Sequence, residues 1–256
     1  VKPNKAFDAN DALSKVPVLT IGFWMVKILA TTLGETAGDA LSMSMDLGYL
    51  LSTFIFAGIF LVAVTAQIKS SHFHPWLYWA TIIATTTVGT TLADFATRSL
   101  GIGYTGGSIL LLSLLVATLV VWYKSMGSVS VNTITSAKVE LFYWLTIMFS
   151  QTLGTALGDW TADTAGLGFG GGAVIFSVLL LIVLAFYYFT QVSRTILFWL
   201  AFILTRPLGA LVGDFLDKPI SDGGLALSRY SASAVLLILI AVTLMWLPQR
   251  AAKSGH

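Results

Sequence analysis

The chain has 256 residues, of which 56% are hydrophobic and only 10% charged, with a formal net charge of +2 and a mean hydropathy of +0.85. Soluble domains carry about 25% charged residues, so this composition excludes a water-soluble globular protein and predicts an integral membrane protein. There is no cysteine, which excludes disulfides, thiolate metal sites and cysteine nucleophiles, and the small net charge gives no reason to expect a nucleic-acid partner.

Residues 1–15 are polar, with Lys2, Lys5, Lys15, Asp8 and Asp11, and lack the apolar core of a signal peptide. Eight apolar stretches follow, at 16–36, 47–67, 75–97, 107–124, 138–161, 172–191, 194–215 and 229–247. Each is close to the roughly 20 residues that cross about 30 Å of hydrocarbon. The expected fold is therefore an all-α integral membrane protein with eight transmembrane helices in one domain, 16–248, followed by a polar tail, 249–256. Alternating strand patterns are absent, which argues against a membrane β-barrel.

A fixed pattern recurs four times. Trp24, Gly34 and Asp39 are matched by Trp79, Gly89 and Asp94, by Trp144, Gly154 and Asp159, and by Trp199, Gly209 and Asp214. Nine residues past each Asp stands Gly48, Gly103, Gly168 or Gly223, positioned to make a turn. The pattern divides the chain into repeats at 16–70, 71–135, 136–192 and 193–248, each a two-helix hairpin whose odd helix carries the motif. Two spans per repeat make the copies parallel, which predicts a fourfold or pair-of-pairs ring with odd helices inside and even helices facing lipid.

Basic residues sort unevenly. Lys2, Lys5, Lys15, Lys69, Lys124, Lys138, Arg194, Arg250 and Lys253 lie on the side of the termini, and Arg98, Lys218 and Arg229 on the other. The positive-inside rule then places both termini in the cytoplasm, and the expected location is a bacterial inner membrane. Glu35, Asp39, Asp46, Asp94, Asp159, Asp163, Asp214, Asp217 and Asp222 gather on the far side. Such an excess either forms a funnel for cations or is simply the polarity of loops in water. Trp76, Trp122, Tyr123 and Trp246 fit an aromatic belt at the membrane interface. His72 and His74 are two apart with no acid nearby and read as interfacial.

Gly34 with Gly38, Gly89 with Ala93, Gly154 with Gly158 and Gly209 with Gly213 are small pairs four apart, the spacing that lets membrane helices cross closely. The Asp that follows lies about 15 residues, or roughly 22 Å of helix, beyond its Trp. Each Asp either caps a helix end or joins a shared cation or proton site, since acids inside a membrane usually line such paths. Glu35 occurs in the first repeat only and lies four before Asp39 on one helix face, a spacing from which two carboxylates can bind a hard divalent cation. Lys27 and Arg206 are the basic residues placed within spans, as internal counter-charges to these acids. Pro207 predicts a kink near Phe202. Thr31, Thr86, Gln151 and Thr205 are expected to line a polar interior, although a buried Thr often only bonds its own backbone.

The tryptophan-bearing frame in four two-span copies resembles a bacterial membrane-protein family known by its repeat of unknown function. The likeness runs from Val16 to Trp246, most recognisably at Lys27–Glu35 and Thr205–Gly209. It implies the topology and no activity. Glu35 to Asp39 is also weakly similar to the acidic Glu-x-Gly-Asp motif of manganese and calcium exchangers, but here it reads Glu-x-x-Gly-Asp, once, without a following basic residue.

The expected function is transport of a cation, a divalent metal such as manganese, by proton-coupled export, with Glu35, Asp39, Asp94, Asp159 and Asp214 as ligands or proton acceptors. Two alternatives stand beside it: a transporter of a small organic solute with Arg206 as the anion contact, and a membrane scaffold or sensor. No catalytic triad, HExxH or phosphate loop is present, so no enzyme is expected, nor any tightly bound cofactor beyond a transported divalent cation. The expected partners are the lipid bilayer and the cation or small-molecule substrate, and a homo-oligomer is left open.

Overall fold

The computed structural model describes residues 13–131, 134 and 136–253. Lys2, Lys5, Asp8 and Asp11 lie outside the described residues. Eight helices carry the fold, which is all-α: α1 (Ile21–Asp39), α2 (Gly48–Lys69), α3 (Pro75–Asp94), α4 (Gly103–Met126), α5 (Ala137–Asp159), α6 (Gly168–Phe189), α7 (Arg194–Asp217) and α8 (Arg229–Trp246). Five of them, α2, α4, α6, α7 and α8, are long and apolar enough to cross a membrane.

Local chemistry sets the ends. The Thr20 hydroxyl accepts from the Phe23 N–H at 3.2 Å and starts α1, Ser136 does the same for Val139 before α5, and Pro75 opens α3, where no N–H is needed. The helix expected from residue 16 therefore begins at Ile21. Ahead of it, β1 (Leu13–Pro17) pairs antiparallel with β2 (Ala251–Lys253), tying the two ends of the domain together. At the far ends, α1, α3 and α5 do not stop at the motif Asp. They widen into π turns over Ala40–Ser44, Phe95–Ser99 and Trp160–Thr164, closed by i→i+5 bonds such as Met45 N–H to Ala40 O at 2.9 Å. Gly48, Gly103 and Gly168 then take φ of 70°, 71° and 62°, the left-handed region that glycine enters without penalty, and the chain reverses into the even helix.

The odd helices form a closed ring in which α1 packs on α3, α3 on α5, α5 on α7 and α7 on α1. The hairpin expectation is corrected by the even helices. Each lies along the odd helix of the next repeat: α2 on α3, α4 on α5, α6 on α7 and α8 on α1. The π turn and the left-handed glycine carry the chain sideways, so a repeat covers its successor's outer wall rather than its own. The even helices are the outer wall, and α2, for instance, buries only Ser52, Phe60, Val64 and Gln67.

Close crossings hold the ring, and they follow one rule around it. A Cβ added at Gly34 would collide with Thr86, at Gly89 with Gln151, at Gly154 with Arg206 and at Gly209 with Thr31. In every case the glycine of one repeat meets the residue three before the glycine of the next. Gly38 likewise meets Thr90, Gly158 meets Ala210 and Gly213 meets Glu35. This register makes the four odd helices parallel and related by an approximate fourfold axis. α7 runs on as one helix through Pro207, whose ring packs against Gly154.

The tryptophans close the other end. Phe23 packs on Trp79 at 5.3 Å, Tyr78 on Trp144 at 5.7 Å, Tyr143 on Trp199 at 6.2 Å and Phe198 on Trp24 at 6.1 Å. The aromatic just before each Trp thus meets the Trp of the next repeat, and the Tyr78 and Tyr143 hydroxyls bond at 2.6 Å. Trp122 is not a belt residue. It is fully buried and stands edge-on to Trp199 at 5.9 Å, whereas Trp76, Tyr123 and Trp246 are exposed. Trp122 lies on the α4 face turned inward with Leu111, Leu115 and Thr118.

Candidate functional site

Every fourth residue of each odd helix falls on one buried stripe, and the four stripes stack into layers about 6 Å apart. Above the aromatic ring come Lys27, Ile82, Ile147 and Phe202, and then Thr31, Thr86, Gln151 and Arg206. Glu35, Thr90, Thr155 and Ala210 form the next layer, and Asp39, Asp94, Asp159 and Asp214 the last. All of these side chains are buried. A polar column is thereby enclosed by helices whose outward faces are covered by the even helices.

Arg206 occupies the middle of the column. Its Nη2 lies 2.9 Å from Glu35 Oε2, 2.5 Å from Thr90 Oγ1 and 2.6 Å from Thr155 Oγ1, while Nη1 donates to Thr31 O at 3.3 Å. One guanidinium therefore reaches all three polar members of the layer above it, each on a different helix. The fourth member, Ala210, leaves the room. Arg206 is fully buried, and a charge so placed must be paired to be tolerated. Glu35 is the carboxylate that pairs it. Thr31 also donates to Thr205 O at 3.3 Å, Thr86 to Ala30 O at 3.2 Å and Thr90 to Gly34 O at 3.1 Å. Those hydroxyls bridge neighbouring helices at the glycine crossings. Thr205 bonds Phe202 O within its own helix at 2.8 Å. Thr31, Thr86 and Thr205 are thus engaged by backbone carbonyls, while Thr90 and Thr155 turn their hydroxyls to Arg206.

The four aspartates converge at the mouth, close enough to act on one another electrostatically. Their counter-charges are not Lys27 and Arg206 but residues just beyond them. Arg98 meets Asp94 at 3.1 Å and Asp159 at 3.3 Å. Lys218 bridges Asp39 and Asp214, the latter at 3.1 Å. Arg229 holds Asp217 at 2.9 Å and approaches Asp39 at 3.9 Å. Arg98 and Lys218 occupy the same position in the second and fourth repeats, four residues past the Asp, where the other repeats have Met43 and Asp163. The aspartate ring is thus clamped in two pairs, and the fourfold frame becomes twofold in charge. Burial opposes the charge of Lys218, but the Asp214, Asp39 and Asp217 carboxylates outweigh it and raise its pKa above the ordinary 10.5. Burial likewise opposes Arg98, and Asp94 and Asp159 outweigh it.

Glu35 and Asp39, expected to act as a carboxylate pair, are committed to different cations: Glu35 to Arg206 inside the column, and Asp39 to Lys218 at its mouth. The group able to hold a metal is instead Asp39, Asp214 and Asp217, with one oxygen of each within 4.8 Å of the others. It is the one such group among the described residues. Asp217 stands three residues after Asp214, on the same helix face, and that spacing was a legible sign. So was the recurrence of a base four residues past the motif Asp in alternate repeats.

Four tandem matches to one family model cover residues 22–73, 77–128, 142–193 and 197–250. The chain belongs to the Repeat of Unknown Function family (DUF347). No curated protein and no solved structure matches the chain. The DUF347 matches begin within the first turns of each odd helix and end after each even helix, so one sequence repeat holds most of one odd helix and the even helix that will cover its neighbour. A single DUF347 copy cannot close either its inner stripe or its outer wall alone.

Proposed function

We propose that this protein is an eight-span transporter of the bacterial inner membrane, with both termini cytoplasmic, that carries a small divalent cation such as manganese along the pseudo-fourfold axis, by export coupled to protons. Five helices satisfy the length and hydropathy needed to span. The other three, α1, α3 and α5, have 19, 20 and 23 residues, against 24 in the qualifying α7. They fall short in hydropathy because their polar residues face the column, where a membrane helix can keep such groups.

The observation that carries the reading is the charge balance at the mouth. Five carboxylates, of Asp39, Asp94, Asp159, Asp214 and Asp217, face three bases, Arg98, Lys218 and Arg229. A formal excess of two negative charges is left, which one divalent cation matches. All the ligands are oxygens, which favours a hard cation such as manganese, magnesium or calcium. Asp39, Asp214 and Asp217 are the receiving group, and the cation enters by displacing Lys218 or Arg229. The Arg206–Glu35 pair then lies across the path as an axial barrier. An incoming cation can take Glu35 from Arg206, or a proton can neutralise it. An organic anion held by Arg206 is the weaker reading, because the guanidinium is already engaged by Glu35, Thr90 and Thr155.

Proteoliposomes loaded with a manganese-sensitive dye and a pH dye test this. Expected is saturable manganese flux with opposing proton movement, lost in Asp217→Asn and Asp39→Asn and altered in Glu35→Gln. Flux that is absent in the folded protein, or unchanged in all three variants, refutes the proposal.

A further inference from the structure

Below the Arg206–Glu35 pair, the column holds a second basic residue, one that no carboxylate pairs among the described residues. Lys27 is fully buried, and its Nζ has no hydrogen-bond or ion-pair partner among the described residues. Its nearest feature is the face of Phe202, with Nζ 4.1 Å from the ring centroid, and the Arg206 guanidinium lies within electrostatic range. Phe202 is one turn below Arg206 on α7, and Thr31, whose carbonyl accepts from Arg206, is one turn above Lys27 on α1. The two cations are thus in adjacent layers on neighbouring helices. Gln151 comes from α5, the helix opposite α1 in the ring, at the register of Arg206. It too is fully buried, and neither its amide nitrogen nor its oxygen has a partner among the described residues. The Nε of Arg206 is likewise unengaged.

These groups share one chemistry. An ammonium, a carboxamide N–H and a guanidinium N–H are all donors, and they belong to two adjacent layers of the column, the lower of which Ile82, Ile147 and Phe202 complete. Between the aromatic ring and the aspartates, the charged members of the column are Lys27, Arg206 and Glu35, a formal total of +1. Buried charges require compensation, and with Lys27 as an ammonium the charge that completes the column is one negative unit. We propose that Lys27 and Gln151, with the free Nε–H of Arg206, bind one small monovalent anion inside the column. The ligand class is a halide-sized inorganic anion or the carboxylate of a very small organic acid. A dianion would overcompensate, and a large solute would not fit between crossings as tight as Gly154 on Arg206 and Gly209 on Thr31. The proposal does not rest on cation transport, because it uses none of the residues at the aspartate mouth.

The test is thermal unfolding of the purified full chain in detergent after exchange into gluconate, with chloride, bromide, nitrate or acetate titrated in at constant pH and ionic strength. Expected is saturable stabilisation by one or more of the small anions. Chloride against acetate separates an inorganic anion from a carboxylate. Lys27→Met should abolish the response while keeping the helical circular dichroism of the parent. Gln151→Leu should raise the half-saturating concentration about tenfold, the effect of losing roughly one hydrogen bond to a charged ligand. A parent protein indifferent to the anion overturns the proposal, as does Lys27→Met responding like the parent, since a general salt effect would act on both. Should Lys27→Met fail to fold, an unchanged half-saturating concentration in Gln151→Leu overturns it equally.

Discussion

The buried pair at the centre of the column makes the sharpest energetic prediction. Arg206 is wholly buried and the Glu35 side chain is 3% exposed, so neither charge is screened by water. Removing one partner of such a pair typically costs about 3–5 kcal/mol, because the other is left buried without compensation. Glu35→Gln belongs at the lower end, about 3 kcal/mol, since Thr90 and Thr155 still accept from the guanidinium. Arg206→Met belongs at the upper end, about 5 kcal/mol, because Glu35 keeps only the Thr90 hydroxyl. The double variant removes both charges and should return to within about 1 kcal/mol of the parent. At about 2–4 °C per kcal/mol for a chain of this size, Glu35→Gln should lower the unfolding midpoint by about 6–12 °C. Tryptophan fluorescence in detergent can follow this, since the chain has 8 tryptophans. Independent sites add to within about 0.3–0.5 kcal/mol. If the two single effects simply sum in the double variant, Arg206 and Glu35 do not form a buried pair and the axial barrier is wrong.

Three further outcomes follow from the geometry. Gly34→Val places side-chain carbons against Thr86, whose backbone carbonyl carbon lies 3.0 Å from the new Cβ; it should cost about 3 kcal/mol or more by overpacking, whereas Gly58→Ala, with nothing within 4 Å, should gain about 0.5–1 kcal/mol, both read from unfolding midpoints. Tyr78→Phe strands the Tyr143 hydroxyl and should cost about 1–3 kcal/mol, most of it recovered when Tyr143→Phe is added; no recovery would mean that the hydroxyl pair is not coupled. Lys218 has its pKa raised in the fold by the Asp214, Asp39 and Asp217 carboxylates, so folded and unfolded chains both hold the proton below 10.5. Loss of the Lys218 proton should then not weaken the bridge up to about pH 9, and should do so only as pH rises beyond 10.5 toward the folded value; a stability gap to Lys218→Met that narrows as pH is raised from neutral to about 9 would refute the bridge.

Composition alone points to helices long and apolar enough to cross a membrane, as five of the eight are, and spacing alone yields four copies, eight helices and close crossings at the small residues. These features are legible because they are local or periodic: a run of apolar residues, a glycine where a side chain would clash, a fixed interval between Trp, Gly and Asp. The partners were not legible. Glu35 and Asp39 are four apart on one face, yet one answers to Arg206, 171 residues away in sequence, and the other to Lys218, 179 residues away. Arg98, Lys218 and Arg229 look like ordinary loop charges until the ring closes and sets them over the aspartates. Trp122 looks interfacial by position, but α4 crosses to the next repeat and turns it inward. Lys27 is the plainest case. Its sequence neighbourhood predicts a counter-charge for the acids, and only the layer it occupies, below Arg206 and beside Phe202, leaves it unpaired among the described residues. Pairing is decided by which helix lies alongside which, and the sideways step at each π turn and left-handed glycine determines that only once all four repeats have closed the ring.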